Sequence, residues 1–250
     1  MSDYTFRLAG DTAILVDFGD RIDVGLNKKV LALAERLNET NLDGVMECVP
    51  SIRSLTVYYE PLTISCTALQ VQLAKLIQGL QIVERTDMTI SAADCSKKIW
   101  RLPVCYDSVF ALDLTYVAER TGLSPGQVVE RHCGTTYHVY ALGFLPGLAY
   151  LGDLPKDLAL PRRENPRPTI PAGSVGIATQ MTCVYPMKTP CGWHIIGRSP
   201  VRLWDVRRQT GALLTAGDRV NFAPISVQEY ERLQADAKDG RLQLVPDSGS

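Results

Sequence analysis

The sequence lacks a strong charge imbalance and lacks long hydrophobic runs. Its 26 Lys and Arg residues nearly balance 27 Asp and Glu residues, and the net charge is −1. Because proteins that bind nucleic acid need a basic face to neutralise phosphates, we do not expect nucleic-acid binding. No apolar stretch approaches the roughly 20 residues that cross a bilayer, and no signal-peptide pattern is visible. These absences predict a cytoplasmic chain without a membrane segment.

Several common site motifs are also missing. The sequence has no Walker-type phosphate loop, no G-x-S-x-G nucleophile elbow and no H-E-x-x-H zinc motif. None of its seven cysteines form a C-x-x-C pair, and its three histidines are scattered. Without ligand spacing, no metal site is predicted. The cysteines are therefore expected to be free thiols in a reducing compartment.

The pattern of apolar residues predicts two domains and a linker. We place an α+β domain at residues 1–90, a linker at 91–97 and a β-barrel domain at 98–250. In the first domain, residues 22–38 and 64–80 carry apolar stripes at helical spacing, with strands around them. The order strand, helix, strand, strand, helix and a weaker strand favours a ferredoxin-like fold.

Capping signals predict two helices near the start of the second domain. Asp113 is a suitable N-cap for a helix that stops at Gly122, because glycine is the usual residue after a helix end. Residues 124–127, Ser-Pro-Gly-Gln, form a capping box for a helix that ends near His132. Short strands and turns then continue to Phe222, which is typical of a closed β-barrel.

The turns between residues 137 and 204 concentrate glycine, proline, cations and aromatic residues. Loops on a rigid scaffold often carry function, so we expect a site here. Arg162, Arg163 and Arg167 lie among prolines, and guanidinium groups match the oxygens of carboxylate or phosphate. The alternative is solvated loop charge. The balance of charges favours a small anionic ligand over a polymer.

The histidines and cysteines of this region leave alternatives open. His132 is either a helix-end residue stabilised by the helix dipole or a proton carrier at the barrel mouth. His138 and His194 lie in strand-like runs and are expected to be structural. Cys183 and Cys191 are expected to be buried thiols, since nothing in the sequence indicates a stabilised thiolate.

An ordered series of short motifs runs through nearly the whole chain. Its members are residues 102–106, 142–147, 161–163, 166–167, 171–178, 185–186, 192–193, 196–198 and 217–220. The series resembles the PxpB family, the B-type subunits of 5-oxoprolinase, which are also labelled allophanate hydrolase subunit 1 or KipI-like.

This resemblance implies a ferredoxin-like N-terminal domain and a cyclophilin-like all-β barrel. It also implies an ATP-dependent hydrolase that opens the lactam 5-oxo-L-proline to L-glutamate and is active only with its partners. Those partners are a C-type, carboxyltransferase-like subunit with a similar fold and an A-type hydrolase subunit. ATP with Mg²⁺ is expected in the assembled complex.

Two alternatives come from the same resemblance. The first is a carboxyltransferase half of a biotin-dependent urea or amide carboxylase. This chain has only Met187-Lys188 in a Pro-flanked turn, so biotin would have to be carried by another polypeptide. The second is a KipI-like inhibitor of a sensor histidine kinase, which would not need an intact cleft.

The resemblance also implies which residues form the site. His132 and Arg167 take the catalytic positions, with His132 as the proton-transfer candidate. The positions expected to bind substrate or nucleotide are Arg162, Arg163, Tyr185, Trp193 and Arg198.

The chain departs from the family pattern at Met181, where glutamine is expected, and at Cys183 and Cys191, where glycine is expected. Methionine lacks an amide, and a side chain hinders the close ligand approach that glycine allows. We expect these changes to leave the fold intact and either to alter the substrate specificity or to mark a member that has lost activity.

Overall fold

The computed structural model describes residues 4–86 and 98–247. Within the helix that ends at Thr86, it describes the side chains only as far as Leu80. The chain divides into two compact units, Met1–Ser96 and Lys97–Ser250. The predicted linker, residues 91–97, lies outside the described residues.

The described part of the first unit, residues 4–86, has two helices and one four-stranded sheet. Its elements are β1 (Thr5–Leu8), β2 (Ala13–Asp17), α1 (Val24–Thr40), β3 (Val45–Pro50), β4 (Ser54–Tyr59) and α2 (Cys66–Thr86). The strands pair in the order β1-β2-β4-β3, and each pair is antiparallel.

The apolar stripes of α1 and α2 build the core of this unit, as their spacing predicts. Val30 and Leu33 of α1 and Leu69 and Leu73 of α2 are fully buried. Leu26 at the start of α1 is partly buried against this core, and the polar residue Asn27 beside it is fully buried. Its amide donates to the carbonyls of Ser51 and Ile52 at 3.1 and 3.0 Å, so a polar residue is satisfied there.

The predicted ferredoxin-like topology is not confirmed. The position beside β2 at the sheet edge is filled by β1, which precedes β2 in the chain. The expected topology needs a strand after the second helix at that edge. Residues 87–97, where such a strand would follow α2, lie outside the described residues.

Within residues 98–247, the second unit combines strands with three α-helices, so it is not all-β. Its helices are α3 (Leu114–Thr121), α4 (Pro125–Cys133) and α5 (Val227–Lys238), and a short 3₁₀ helix spans Lys156–Leu158. Its strands are β5 (Ile99–Val104), β6 (Tyr137–Leu142), β7 (Ala149–Gly152), β8 (Arg167–Ile170), β9 (Ser174–Ala178), β10 (Met181–Val184), β11 (Thr189–Cys191), β12 (His194–Arg198) and β13 (Arg219–Pro224).

Seven of these strands form a nearly closed mixed barrel. They follow the order β12-β9-β10-β7-β6-β13-β5, and only the β13–β5 pair is parallel. The two ends of this order meet where Cys105 and Arg198 exchange backbone hydrogen bonds of 2.8 and 2.9 Å. A closed barrel leaves few unpaired strand edges. The cyclophilin-like assignment stays a prediction from the resemblance.

The core of the second unit fills the barrel and continues beneath α3 and α4. Val117 and Val128 of these helices are buried with strand residues such as Val139 and Leu151. The predicted capping box is confirmed, since Ser124 and Gln127 cap each other reciprocally with Pro125 at the first turn. Gly122 ends α3 in the left-handed conformation, also as predicted. None of the helices in the described part of the chain combines the length and apolar character that a membrane crossing requires.

Candidate functional site

Two arginines of the proline-rich segment converge on one buried carboxylate. Arg167 at the start of β8 binds Asp113 through both terminal nitrogens, at 2.7 Å each. The Nη1 atom of Arg163 binds the same carboxylate at 2.9 Å. Asp113 is only 3% exposed. We call these three residues the arginine cluster.

Asp113 also pairs with the outer edge of β12. The Ile195 N–H donates to its carboxylate at 2.6 Å, and the Asp113 N–H donates to the Ile195 carbonyl at 2.7 Å. A buried carboxylate is tolerated only when charges and hydrogen bonds compensate it, and this one accepts from three different groups. Although Asp113 stands at the predicted N-cap position of α3, its side chain makes no capping bond.

The cluster has more positive than negative charge. Two guanidinium groups share one carboxylate, so the formal charge of the group is one positive unit. The side chains of Arg163 and Arg167 are 27% and 23% exposed, so part of this charge reaches the surface. Charges fixed in advance by buried partners can stabilise an anion without a cost of reorganisation.

A cavity of about 330 Å³ opens beside the cluster. We call it the polar pocket. Its wall includes Tyr116 and Arg120 of α3, Arg162, Arg163 and Glu164 of the loop that precedes β8, and His194 of β12. Arg162 and Arg163 both line the polar pocket, and Asp113 connects Arg163 to Arg167. Sequence reasoning did not identify Asp113, Tyr116 or Arg120 as site residues.

His132 lies in the core of the second unit. It is fully buried, its ring stacks on Phe222, and both ring nitrogens have internal partners. Thr182 donates its hydroxyl hydrogen to the Gly176 carbonyl, so it accepts from Nε2 of His132 at 3.0 Å. Nδ1 is then the acceptor for the Tyr106 hydroxyl at 2.8 Å. Burial lowers the pKa of His132 to about 3, so the ring is neutral.

This position gives no support to either sequence-based role for His132. A neutral ring gains little from a helix dipole. A histidine that carries protons would have to break its hydrogen bonds to Tyr106 and Thr182. The proton-transfer assignment stays a prediction.

The lowered pKa of His132 predicts how stability depends on pH. The unfolded state binds a proton below pH 6.5, whereas the folded state does not until about pH 3. The free energy of unfolding should therefore fall as the pH decreases through this window, by up to about 1.4 kcal/mol per pH unit. Urea unfolding at pH 7 and pH 5 measures the decline. His132→Asn should be less stable at pH 7 and decline less steeply, and an equal decline in both proteins would contradict the assignment.

Comparisons with known proteins identify the family. The carboxyltransferase domain family, subdomain C and D, matches residues 4–214. The B-type subunit of 5-oxoprolinase from Bacillus subtilis (strain 168) is 37% identical over 243 residues, which cover 94% of this chain and 98% of that protein. Its counterpart from Escherichia coli O157:H7 is 36% identical, with 87% and 94% covered. The chain belongs to the PxpB family of 5-oxoprolinase subunits.

A solved structure that matches a larger share of this chain supports the fold. The Kluyveromyces lactis urea carboxylase matches 98% of this chain and 24% of that chain, with a TM-score of 0.78. Its sequence is only 20% identical, so this likeness shows the fold alone.

The three departures from the PxpB pattern are all buried. Cys191 donates its thiol to the Tyr185 hydroxyl at 3.2 Å, and Cys183 interacts with the same tyrosine. Burial raises the pKa of both Cys183 and Tyr185, so these groups stay protonated near neutral pH. Met181 is 6% exposed in β10. The cysteines are therefore packing residues around Tyr185, as the sequence predicts.

Trp193 and Arg198, the remaining candidate residues, lie outside the arginine cluster. Trp193 is 8% exposed, and its ring centroid is 6.2 Å from that of Tyr150. Arg198 closes the barrel through its backbone, and its guanidinium lies 4.9 Å from the ring centre of Phe110. The binding roles of Tyr185, Trp193 and Arg198 stay predictions.

Proposed function

We propose that this chain is a component of an ATP-dependent 5-oxoprolinase, which opens 5-oxo-L-proline to L-glutamate. The observation that carries the proposal is the match to three proteins named as the B-type subunit of 5-oxoprolinase. They are 31–37% identical, and the matches cover 85–94% of this chain. The matches also cover 93–98% of those proteins, so both compact units are included.

The proposed reaction needs stabilisation of negative charge. One water opens the lactam C–N bond to a carboxylate and an amine, and a second is consumed as ATP becomes ADP and phosphate. Negative charge develops on the lactam oxygen and on the transferred phosphoryl group. Because Asp113 holds Arg163 and Arg167 in place before any ligand binds, their positive potential is available at no conformational cost.

The proposal includes partner chains. A C-type, carboxyltransferase-like subunit and an A-type hydrolase subunit would complete the site, and ATP would enter with Mg²⁺. Among residues 4–86 and 98–247, no three His, Cys, Asp or Glu side chains are grouped to hold a metal ion. Within this proposal, Mg²⁺ enters bound to the phosphates of ATP.

The proposal also places the complex in the cytoplasm. The six cysteines of the described residues are free thiols, which is typical of proteins in a reducing compartment.

The carboxyltransferase function is the second candidate. The matching family is described as a carboxyltransferase domain, and the urea amidolyase of Lachancea kluyveri is 25% identical over 268 residues. That match covers 95% of this chain but only 14% of urea amidolyase, so the remaining activities of such an enzyme would need other chains. The kinase-inhibitor alternative stays a prediction.

A substrate comparison separates the two enzymatic candidates. The chain would be assembled with its C-type and A-type partners and supplied either with ATP, Mg²⁺ and 5-oxo-L-proline, or with ATP, Mg²⁺, urea and a protein that carries carboxylated biotin. We expect ATP hydrolysis and L-glutamate formation with 5-oxo-L-proline only. Transfer of a carboxyl group from a biotinylated protein to urea, without glutamate formation, would favour the carboxyltransferase.

A further inference from the structure

The polar pocket is lined by positively charged side chains that do not belong to the arginine cluster. Three arginines and one glutamate line it. Arg163 is paired with Asp113, but Arg120 and Arg162 form no ion pair with any residue that the structure describes. Both side chains belong to exposed residues, so their guanidinium groups are free to bind an anion.

The loop that carries Arg162 is fixed on both sides of this residue. The Nε2 atom of His194 donates to the Pro161 carbonyl at 2.9 Å. The Arg163 N–H donates to the Gly192 carbonyl at 2.8 Å. Because the backbone on either side of Arg162 is anchored in this way, less conformational entropy is lost when a ligand binds.

Two buried polar atoms in the pocket wall lack hydrogen-bond partners among the described residues. They are Nδ1 of His194 and Nε of Arg163. His194 is 3% exposed, and the ring of Tyr116 stacks on it at 5.3 Å between centroids. Unsatisfied buried polar groups are rare in folded proteins, and each one calls for an explanation such as a catalytic role or an ordered water or ion.

The size of the pocket favours a small molecule. Its volume of about 330 Å³ is near the lower end, about 300 Å³, of the range for ligand sites. A small carboxylate suits this space better than a whole nucleotide.

We propose that the polar pocket binds the substrate lactam through its carboxylate, which Arg120 and Arg162 hold together. This assignment depends on the proposed 5-oxoprolinase function and gives that function a substrate site on this chain. His194 acts as a positioning residue, since it holds the loop through Pro161. The arginine cluster behind the pocket adds positive potential toward the lactam oxygen.

The test measures binding and turnover in the assembled complex. Calorimetry without ATP compares 5-oxo-L-proline with 2-pyrrolidinone, an uncharged lactam of the same ring size. We expect the intact complex to prefer the charged lactam. Arg120→Gln combined with Arg162→Gln should weaken binding of 5-oxo-L-proline by about tenfold or more for each arginine and should remove this preference. The KM for the lactam should rise while the KM for ATP stays within about twofold.

A matched control replaces an exposed arginine outside the pocket, Arg101→Gln on β5, and should change neither constant. Unchanged lactam binding in the double variant, or a rise in the KM for ATP alone, would overturn the pocket assignment and leave the 5-oxoprolinase function intact. Carboxylate-dependent binding that the double variant loses, in an assembled complex without turnover, would support the pocket and overturn the proposed function.

Discussion

Asp113→Ala is expected to lower the free energy of unfolding of this chain by about 3 kcal/mol, as removal of one partner from a buried ion pair does. The substitution leaves Arg163 and Arg167 without their shared counter-charge and leaves the Ile195 N–H without its acceptor. This expected loss of stability is at the low end of the range for breaking a buried ion pair, because the two arginine side chains are 27% and 23% exposed and water can reach them. Urea denaturation measures the change.

Two variants control this experiment. Asp113→Asn keeps the size of the side chain and one acceptor oxygen, so it should recover part of the loss. Glu119→Ala removes an exposed carboxylate from the same helix and should change stability by no more than about 0.5 kcal/mol. If Asp113→Ala cost no more than Glu119→Ala, Asp113 would not be the anchor of the arginine cluster.

Arg167→Ala is expected to lower the 5-oxoproline-dependent turnover of the assembled complex by about 100-fold or more, by analogy with removal of a preorganised charge-stabilising group. Both terminal nitrogens of Arg167 bind Asp113, so we expect this arginine to fix the carboxylate that holds Arg163 and to add positive potential. The loss should therefore appear mainly in kcat, with a smaller change in the KM for the lactam.

This prediction needs proof that the variant chain is folded and assembled, which circular dichroism and gel filtration of the complex provide. Arg167→Lys keeps the charge but cannot form the bidentate pair, so it should recover only part of the activity. Arg131→Ala breaks an exposed ion pair with Asp157 of 3.3 Å and should leave turnover unchanged. Turnover within about threefold of the wild type in folded Arg167→Ala would remove Arg167 from the mechanism.

The local features of the fold could be predicted because their causes lie within a few residues. The capping box at Ser124 and the stop at Gly122 depend on neighbouring backbone groups, and the sequence shows both. The apolar stripes of α1 and α2 follow from helical periodicity in the same way. The burial of Asn27 could not be predicted in this way, because its carbonyl partners lie 24 and 25 residues away.

The centre of the candidate site could not be predicted, because its contacts join distant parts of the chain. Asp113 is separated from Arg163 and Arg167 by 50 and 54 residues. No local pattern distinguishes an aspartate that caps a helix from one that binds two arginines of a later loop. The proline-rich segment did indicate the arginines themselves, since its composition is unusual for a solvated loop.

The buried, neutral state of His132 could not be predicted from the sequence either. Its position at a helix end suggests a charged or exposed ring, but its partners Tyr106 and Thr182 lie 26 and 50 residues away and enclose it. Burial then lowers the pKa, so the ring is neutral. The environment that decides the protonation of this histidine is assembled only by the barrel.

The central claim is that this chain is a required component of a 5-oxoprolinase. The most direct measurement is ATP hydrolysis stimulated by 5-oxo-L-proline, with this chain, its C-type partner and its A-type partner together, and then with each one omitted. We expect stimulation and L-glutamate formation from the full mixture, and none when this chain is omitted or is present alone. Equal stimulation without this chain, or none from a complex shown to be assembled, would contradict the account.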